Sequence, residues 1–431
     1  MTGVTRLCRE ARTTGRPAAP VRIVHLGVGA FHRAHQAWYT ARARDAASWG
    51  IAAFTGRSDD VVRELGPQDG LFTLVERASD ADRMEVVDSI VEVRPATDTE
   101  RLIELLADPQ VAVVTLTVTE AGYHLDTAGE LDLGHPDVAA DLRALVEGTR
   151  RLRTPVGRLT AGLDARRRAG SGPLAVVPCD NIPDNGGRLR RAVETLAHRA
   201  GLAGAADLAS FVSTSVDRIT PRTTADDVRA VEALTGWRDD ACVVTEPFSD
   251  WTLSGDFPAG RPDWAARFVD DVAPYERRKL LVLNGGHLSL AFSGMRRGHA
   301  TVAEAVGDPV CRSLLLDFWD EAARAVDARI DTAEYREALL GRFENPRIEH
   351  RLAQIAVDTA TKLRLRVVPV LESERRAGRG GAASAAVLKD WLALVAGDLL
   401  PASAADIDEL SALVATNTPT TRPAESVAPQ R

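Results

Sequence analysis

Cysteine is scarce in this chain of 431 residues: Cys8, Cys179, Cys242 and Cys311 lie 171, 63 and 69 positions apart. There is no CxxC, and no Cys/His pair has zinc-ligand spacing. This argues against a disulfide-stapled secreted domain and against a zinc site that can be read from local sequence. Long apolar runs are also missing. The strongest, residues 111–118 (VAVVTLTV), has eight residues where a membrane-crossing helix needs ~20. The N-terminal stretch MTGVTRLCREARTTGR is too interrupted by charge to be a signal peptide. The expectation is a cytoplasmic protein with no membrane partner. Basic charge is in deficit, with 53 Lys and Arg against 61 Asp and Glu and a formal net charge of −8. Such a surface repels phosphate backbones, which argues against nucleic acid as a partner. No repeat of ~20–50 residues is visible, which removes solenoids and propellers.

What is present is the mixture of a folded globular protein, 45% hydrophobic and 26% charged. Single cores stop growing near ~250–300 residues, so this length predicts two domains. Residues 21–26 (VRIVHL), 50–55 (GIAAFT), 111–118, 174–181 (LAVVPCDN) and 211–218 (FVSTSVDR) read as strands. Helical stretches at 31–47, 100–107, 160–169 and 187–200 alternate with them, which predicts a parallel α/β sheet. After about Pro274 the β signal fades, and helices are expected at 275–292, 309–328, 333–343, 348–363 and 384–397. The predicted organisation is a flexible N-terminus over 1–20, a sheet-based domain over 21–270, a mainly α-helical domain over 271–413 and a flexible tail over 414–431.

In HLGVGAFHRAH, Gly27, Val28 and Gly29 follow a strand, and Ala30 and Phe31 open a helix. Glycines there let the backbone approach a pyrophosphate while helix N-terminal amides face the anion. The third glycine of the dinucleotide fingerprint falls at His32, so a purely structural turn stays an alternative. Its place in the first βα unit favours a cofactor. Arg57, after the second strand, suits a 2′-phosphate or is a solvated loop residue, so NAD is expected with NADP left open.

The segment PYERRKLLVLNGGHLSLAFSG sets Lys279, Asn284 and His287 at i, i+5 and i+8, within an arc of about 140° on an ideal helix. Flanking leucines predict burial, where unpaired polar groups are costly. Gly285-Gly286 predicts close approach by another backbone or a ligand, because glycine weakens a helix. One reading gives three structural side chains. The other gives an alcohol-oxidising site: Lys279 takes the hydroxyl proton, Asn284 donates to the developing alkoxide, and His287 orients the amine or holds a substrate hydroxyl. That role requires the amine to lose its proton readily, as desolvation favours.

The blocks GVGAFHRAHQA, TEAGYHLDTAGELDLGHPD, CDNIPDNGGRLRRAV, VDRITP, VVTEPFSDW, APYERRKLLVLNGGH and RFENPRIEHRLAQIA, in this order, resemble the polyol-specific long-chain dehydrogenases. That family includes mannitol 2-dehydrogenase and fructuronate reductase. The resemblance implies an α/β, Rossmann-type N-terminal domain, a helical C-terminal domain and no catalytic metal. It also implies interconversion of a polyol or sugar acid with a ketose or ketouronate. Lys279, Asn284 and His287 fall on the family's K-x4-N-x2-H motif, and Asn181 falls on its second oxyanion asparagine. Asp358, Lys362 and His350 fall in its substrate region, with Arg342 and Asn345 nearby. Thr359 and Ala360 replace a Gly-Ser pair there, and Arg364 stands where proline is common. The other readings are an arabinitol dehydrogenase, a silent dinucleotide-binding sensor and, against the missing ligand clusters, a zinc enzyme. A monomer or weak homo-oligomer is expected.

Overall fold

Short β-branched runs, apolar along most of their length, build one parallel sheet because both its faces are covered. In chain order its strands are β1 (Val21–Leu26), β2 (Gly50–Phe54), β3 (Ile90–Arg94), β4 (Val113–Leu116), β5 (Leu174–Pro178) and β6 (Ala209–Phe211). The spatial order is β3-β2-β1-β4-β5-β6, and every neighbouring pair is parallel. This comes from a computed structural model that describes residues 4–11, 17–56 and 58–415. Side chains alternate between two cores. Val24, Leu26, Val114 and Val176 pack with Leu102, Leu159 and Leu189 of the helices Thr99–Ala107, Pro155–Ala169 and Asn185–Arg199. Ile23, Ile51, Val113 and Ala175 pack on the other face with Ala34, Tyr39, Trp251 and Trp264. Sequence order reverses between β1 and β4, so a crevice opens beyond their carboxyl ends.

Three strands carry too little alternation to be read from sequence. They are β3 and the antiparallel hairpin Phe72–Arg77 with Asp82–Val87, to which Val243–Thr245 adds in parallel. The expected run 211–218 divides after Phe211: β6 ends the main sheet, and Ser213–Asp217 pairs antiparallel with Asp250–Ser254. The flexible N-terminus is corrected for its described part. Thr5–Arg6 pairs with Trp237–Arg238, Leu7 is fully buried, and Arg9 donates to the carbonyls of Asp88 and Ile90 at 2.8 and 2.9 Å. At the other end the helix Ala404–Ala415 reaches into the expected tail, and residues 416–431 lie outside the described residues.

The chain divides into two units between Tyr275 and Glu276. The second unit holds no strand among its described residues. The run that enters it is α-helical over Ala273–Arg278, π-helical over Lys279–Asn284 and α-helical again over Gly285–Arg296. A side chain on Gly285 would meet the Phe318 ring at 2.8 Å, and one on Gly286 would meet Trp319 Nε1 at 2.5 Å. Both rings belong to the helix Pro309–Arg324. The glycine pair therefore admits aromatic side chains, and Trp319 donates to the carbonyl of Val282 at 2.8 Å. The single helix expected over 348–363 is instead two, Leu352–Ile355 and Thr359–Arg366, interrupted where Asp358 takes a left-handed φ of 50°. No described helix is long and apolar enough to cross a membrane.

Candidate functional site

A cavity of about 550 Å³ opens beyond the β1 and β4 ends, lined by Gly27, Val28, Gly56, Ser58, Thr117 and Arg158 among others. The amides of Gly27 and Val28 both donate to the carbonyl of Phe54, at 2.8 and 2.9 Å. The donors left for an anion are those of the next helix's first turn, Gly29, Ala30 and Phe31. Thr117 Oγ1 donates to the carbonyl of Gly27 at 2.9 Å and fixes the turn to β4. Asp141 braces the opposite wall by accepting from the amides of Arg153 and Thr154 at 2.7 and 2.8 Å. Arg57 lies outside the described residues.

Beneath the turn, His32 occupies the third-glycine position and stacks on His25 with ring centroids 3.3 Å apart. Both are fully buried, and His25 pairs with Thr115 at 2.8 Å and Thr117 at 3.0 Å. An imidazole stack thus replaces the close helix–strand approach that glycine usually allows. Burial pulls the His25 pKa down to about 3, and burial together with His25 holds His32 well below its ordinary value.

In the second unit the π turn changes the expected geometry. Five-residue hydrogen bonding, seen where the Gly285 amide donates to the carbonyl of Leu280, stacks Lys279 and Asn284 one turn apart in place of the 140° arc of an ideal helix. Both side chains are half-buried. His287 is only 8% exposed, and its Nε2 has no hydrogen-bond partner. Its ring lies 4.6 Å from Phe343 and 4.8 Å from His350. Burial, then His350, Arg342 and Arg366, keep His287 neutral, while burial and Arg342 lower His350 to about 4. Lys362 Nζ donates to the carbonyl of Ile355 at 3.0 Å.

Models of the mannitol dehydrogenase Rossmann domain and the mannitol dehydrogenase C-terminal domain match residues 21–266 and 271–397. The chain belongs to the mannitol dehydrogenase family. The D-arabinitol 4-dehydrogenase of Ralstonia nicotianae is 38% identical to it over 371 residues, 82% of this chain and 78% of its own. The D-mannonate oxidoreductase of Escherichia coli is 36% identical over 364 residues, 80% and 74% of the two chains. The structure of Pseudomonas fluorescens mannitol 2-dehydrogenase, a ternary complex with NAD and D-mannitol, matches with a TM-score of 0.76 at 33% identity, covering 90% of this chain and 84% of that one. These relatives carry three different substrate names, so membership of the mannitol dehydrogenase family leaves the substrate to be argued from this chain's residues.

Within this family member the departures around Asp358 have structural explanations. Thr359 is buried and its hydroxyl accepts from Trp391 Nε1 at 2.7 Å. Arg364 pairs with Asp406 and Glu409 of the C-terminal helix. Asp358 is exposed and starts the Thr359–Arg366 helix. Asn181 is exposed in the turn after β5, and it is the neighbouring Asn185 that is buried, exchanging bonds with Thr214 at 2.9 and 3.0 Å. The sequence reading missed Thr117, Arg153 and Arg158 as cavity lining; the only local signals were that Thr117 follows a strand, Arg153 precedes a helix and Arg158 lies in that helix's first turns. Folding also gathers ligand-type atoms that spacing did not show: His124, His135 and Asp137, and His299, Asp308 and Cys311, each within 4.8 Å. In both groups the carboxylate is already engaged, Asp137 by Arg153 and Asp308 by Arg297 and His299.

These histidines predict acid lability. His25, His32, His287 and His350 have folded pKa values below the ~6.5 of an unfolded histidine. The unfolded chain therefore binds more protons below about pH 6.5, and stability falls as pH drops, on the order of 1 kcal/mol per pH unit for each proton taken up. Thermal melts from pH 7.5 to pH 5 should show a falling Tm, and a flat profile contradicts the assignment.

Proposed function

We propose that this chain is an NAD-dependent oxidoreductase that interconverts a secondary alcohol of a polyol or aldonate with the matching ketose or ketouronate. NADP is the alternative cofactor. The carrying observation is the π turn that stacks Lys279 and Asn284, followed by a buried His287 whose Nε2 lacks a partner. The first unit suits a dinucleotide: a Cβ on Gly27 would sit 2.4 Å from the Thr117 carbonyl oxygen, and the cavity lies at the sheet's switch point. When bound, the nicotinamide supplies the hydride acceptor or donor.

Lys279 takes the hydroxyl proton in oxidation and returns it in reduction. Asn284 donates to the substrate oxygen as charge develops on it, and Asn181 carries an oxyanion role on the strength of the family motif alone. His287, held neutral, offers its unpaired nitrogen to a substrate hydroxyl, and Lys362, His350 and Asp358 complete the substrate region. Composition supports the amine's role. Of the 53 basic residues only Lys279, Lys362 and Lys389 are lysine, and arginine cannot lose its proton. The proton transfer draws on no metal. The four cysteines are free thiols, which supports a reducing, cytoplasmic setting.

A panel of polyols, aldonates, ketoses and ketouronates with both nicotinamide cofactors, followed by NAD(P)H absorbance at several pH values, tests the reading. Turnover of at least one pair is expected. A folded protein that binds the nucleotide and turns over nothing is a silent binding module instead.

A further inference from the structure

The helix Thr359–Arg366 carries Lys362 and Arg366 four positions apart, on one face. Both are half-buried. A like-charged pair at that spacing costs a helix a few tenths of a kcal/mol, roughly, unless an anion lies between. Arg366 has no carboxylate partner among the described residues, and its Nε is buried without a hydrogen bond. The contrast is two residues away, where Arg364 holds both Asp406 and Glu409.

The surroundings of Arg366 add cationic and neutral donors. Arg366 and Arg342 both act electrostatically on His287, and Arg366 acts on Lys362; among the described residues the acid acting on Lys362 is Asp358. His287 and His350 are neutral imidazoles in ring contact, and His287 Nε2 is buried without a partner. A guanidinium, an amine and an unfilled imidazole nitrogen therefore share one neighbourhood around the Lys279–Arg296 run. A neutral polyol can hydrogen-bond to all three groups but leaves the guanidinium's charge uncompensated. A carboxylate satisfies it with two parallel N–H···O bonds.

We infer that Arg366 is a specificity-determining residue that pairs with the carboxylate of an aldonate or ketouronate, making sugar acids the preferred substrates of this chain. This rests on the function proposed above and narrows its substrate class.

The test compares wild type with Arg366→Gln and Arg366→Lys, using a six-carbon aldonate/ketouronate pair and the neutral polyol/ketose pair of the same skeleton. Wild type should favour the acid pair in kcat/KM by at least roughly tenfold. Arg366→Gln should lower the acid-over-neutral ratio about 100-fold, mostly through KM, with partial recovery in Arg366→Lys. Calorimetric titration of the aldonate into the nucleotide-loaded protein should weaken in parallel. Wild type preferring the neutral pair overturns this inference alone, as does an Arg366→Gln variant that loses both pairs equally. Wild type inactive on both pairs but active on another polyol of the panel overturns this inference alone, and wild type inactive on the whole panel overturns the proposed function and this inference with it.

Discussion

Lys279→Arg is expected to lower kcat by ~10²–10⁴-fold, the range that a positioned proton-transfer group supplies. Arginine keeps the positive charge and most of the length, so attraction for an anionic substrate survives while proton exchange does not. Lys279→Ala should lose at least as much turnover. Nucleotide affinity should hold in both variants, because every residue lining the cavity at the glycine turn belongs to the first unit. The fold should also hold, since Lys279 is only half-buried. The exposed Lys389 provides the control: Lys389→Arg changes the same functional group on the outer face of the helix Ala382–Ala396 and should turn over like wild type. A Lys279→Arg enzyme within tenfold of wild type removes the amine from the chemistry.

Gly27→Ala should be the most damaging change in the first unit. Gly27 has φ of 100°, a conformation L side chains rarely adopt, and the added methyl would lie 2.4 Å from the Thr117 carbonyl oxygen. Backbone strain of this kind costs about 1–3 kcal/mol before the clash is counted. Relief means parting the turn from β4, where Thr117 holds both Gly27 and His25. Lower Tm and at least roughly tenfold weaker nucleotide binding are expected together. Gly29→Ala separates the two effects. Gly29 has an extended φ of −147°, and its nearest foreign atom would be 3.8 Å from the new methyl, so Tm should stay within a degree or so. Nucleotide affinity should still fall if a pyrophosphate packs against that backbone. Unchanged affinity in both variants displaces the cofactor from this turn.

The legible parts of the sequence were those whose signals are local. Val21–Leu26 followed by glycine announces a strand and turn, and Leu174–Pro178 announces a strand buried on both faces. The helix Ala333–Phe343 was read with its observed limits. The strands β3 and Phe72–Arg77 were not legible, because Glu92 interrupts the first, Glu76 and Arg77 cut the second to four uncharged residues, and the stability of both comes from neighbours distant in sequence. The break at Asp358 was hidden for a related reason. Periodicity continues across it, and the left-handed residue is held by contacts such as Thr359 with Trp391.

At the candidate site, the sequence alone determined which side chains are present: an amine, an amide and an imidazole in one run, and a glycine turn after the first strand. Residue identity fixes which protons and dipoles are available. Tertiary structure decided how they meet. A π turn stacks Lys279 with Asn284, aromatic rings close on Gly285-Gly286, His32 fills a glycine's place by stacking on His25, and Arg366 is left without an acid among the described residues. Each of these depends on a neighbour that spacing along the chain does not specify, since desolvation and pairing are properties of three-dimensional surroundings.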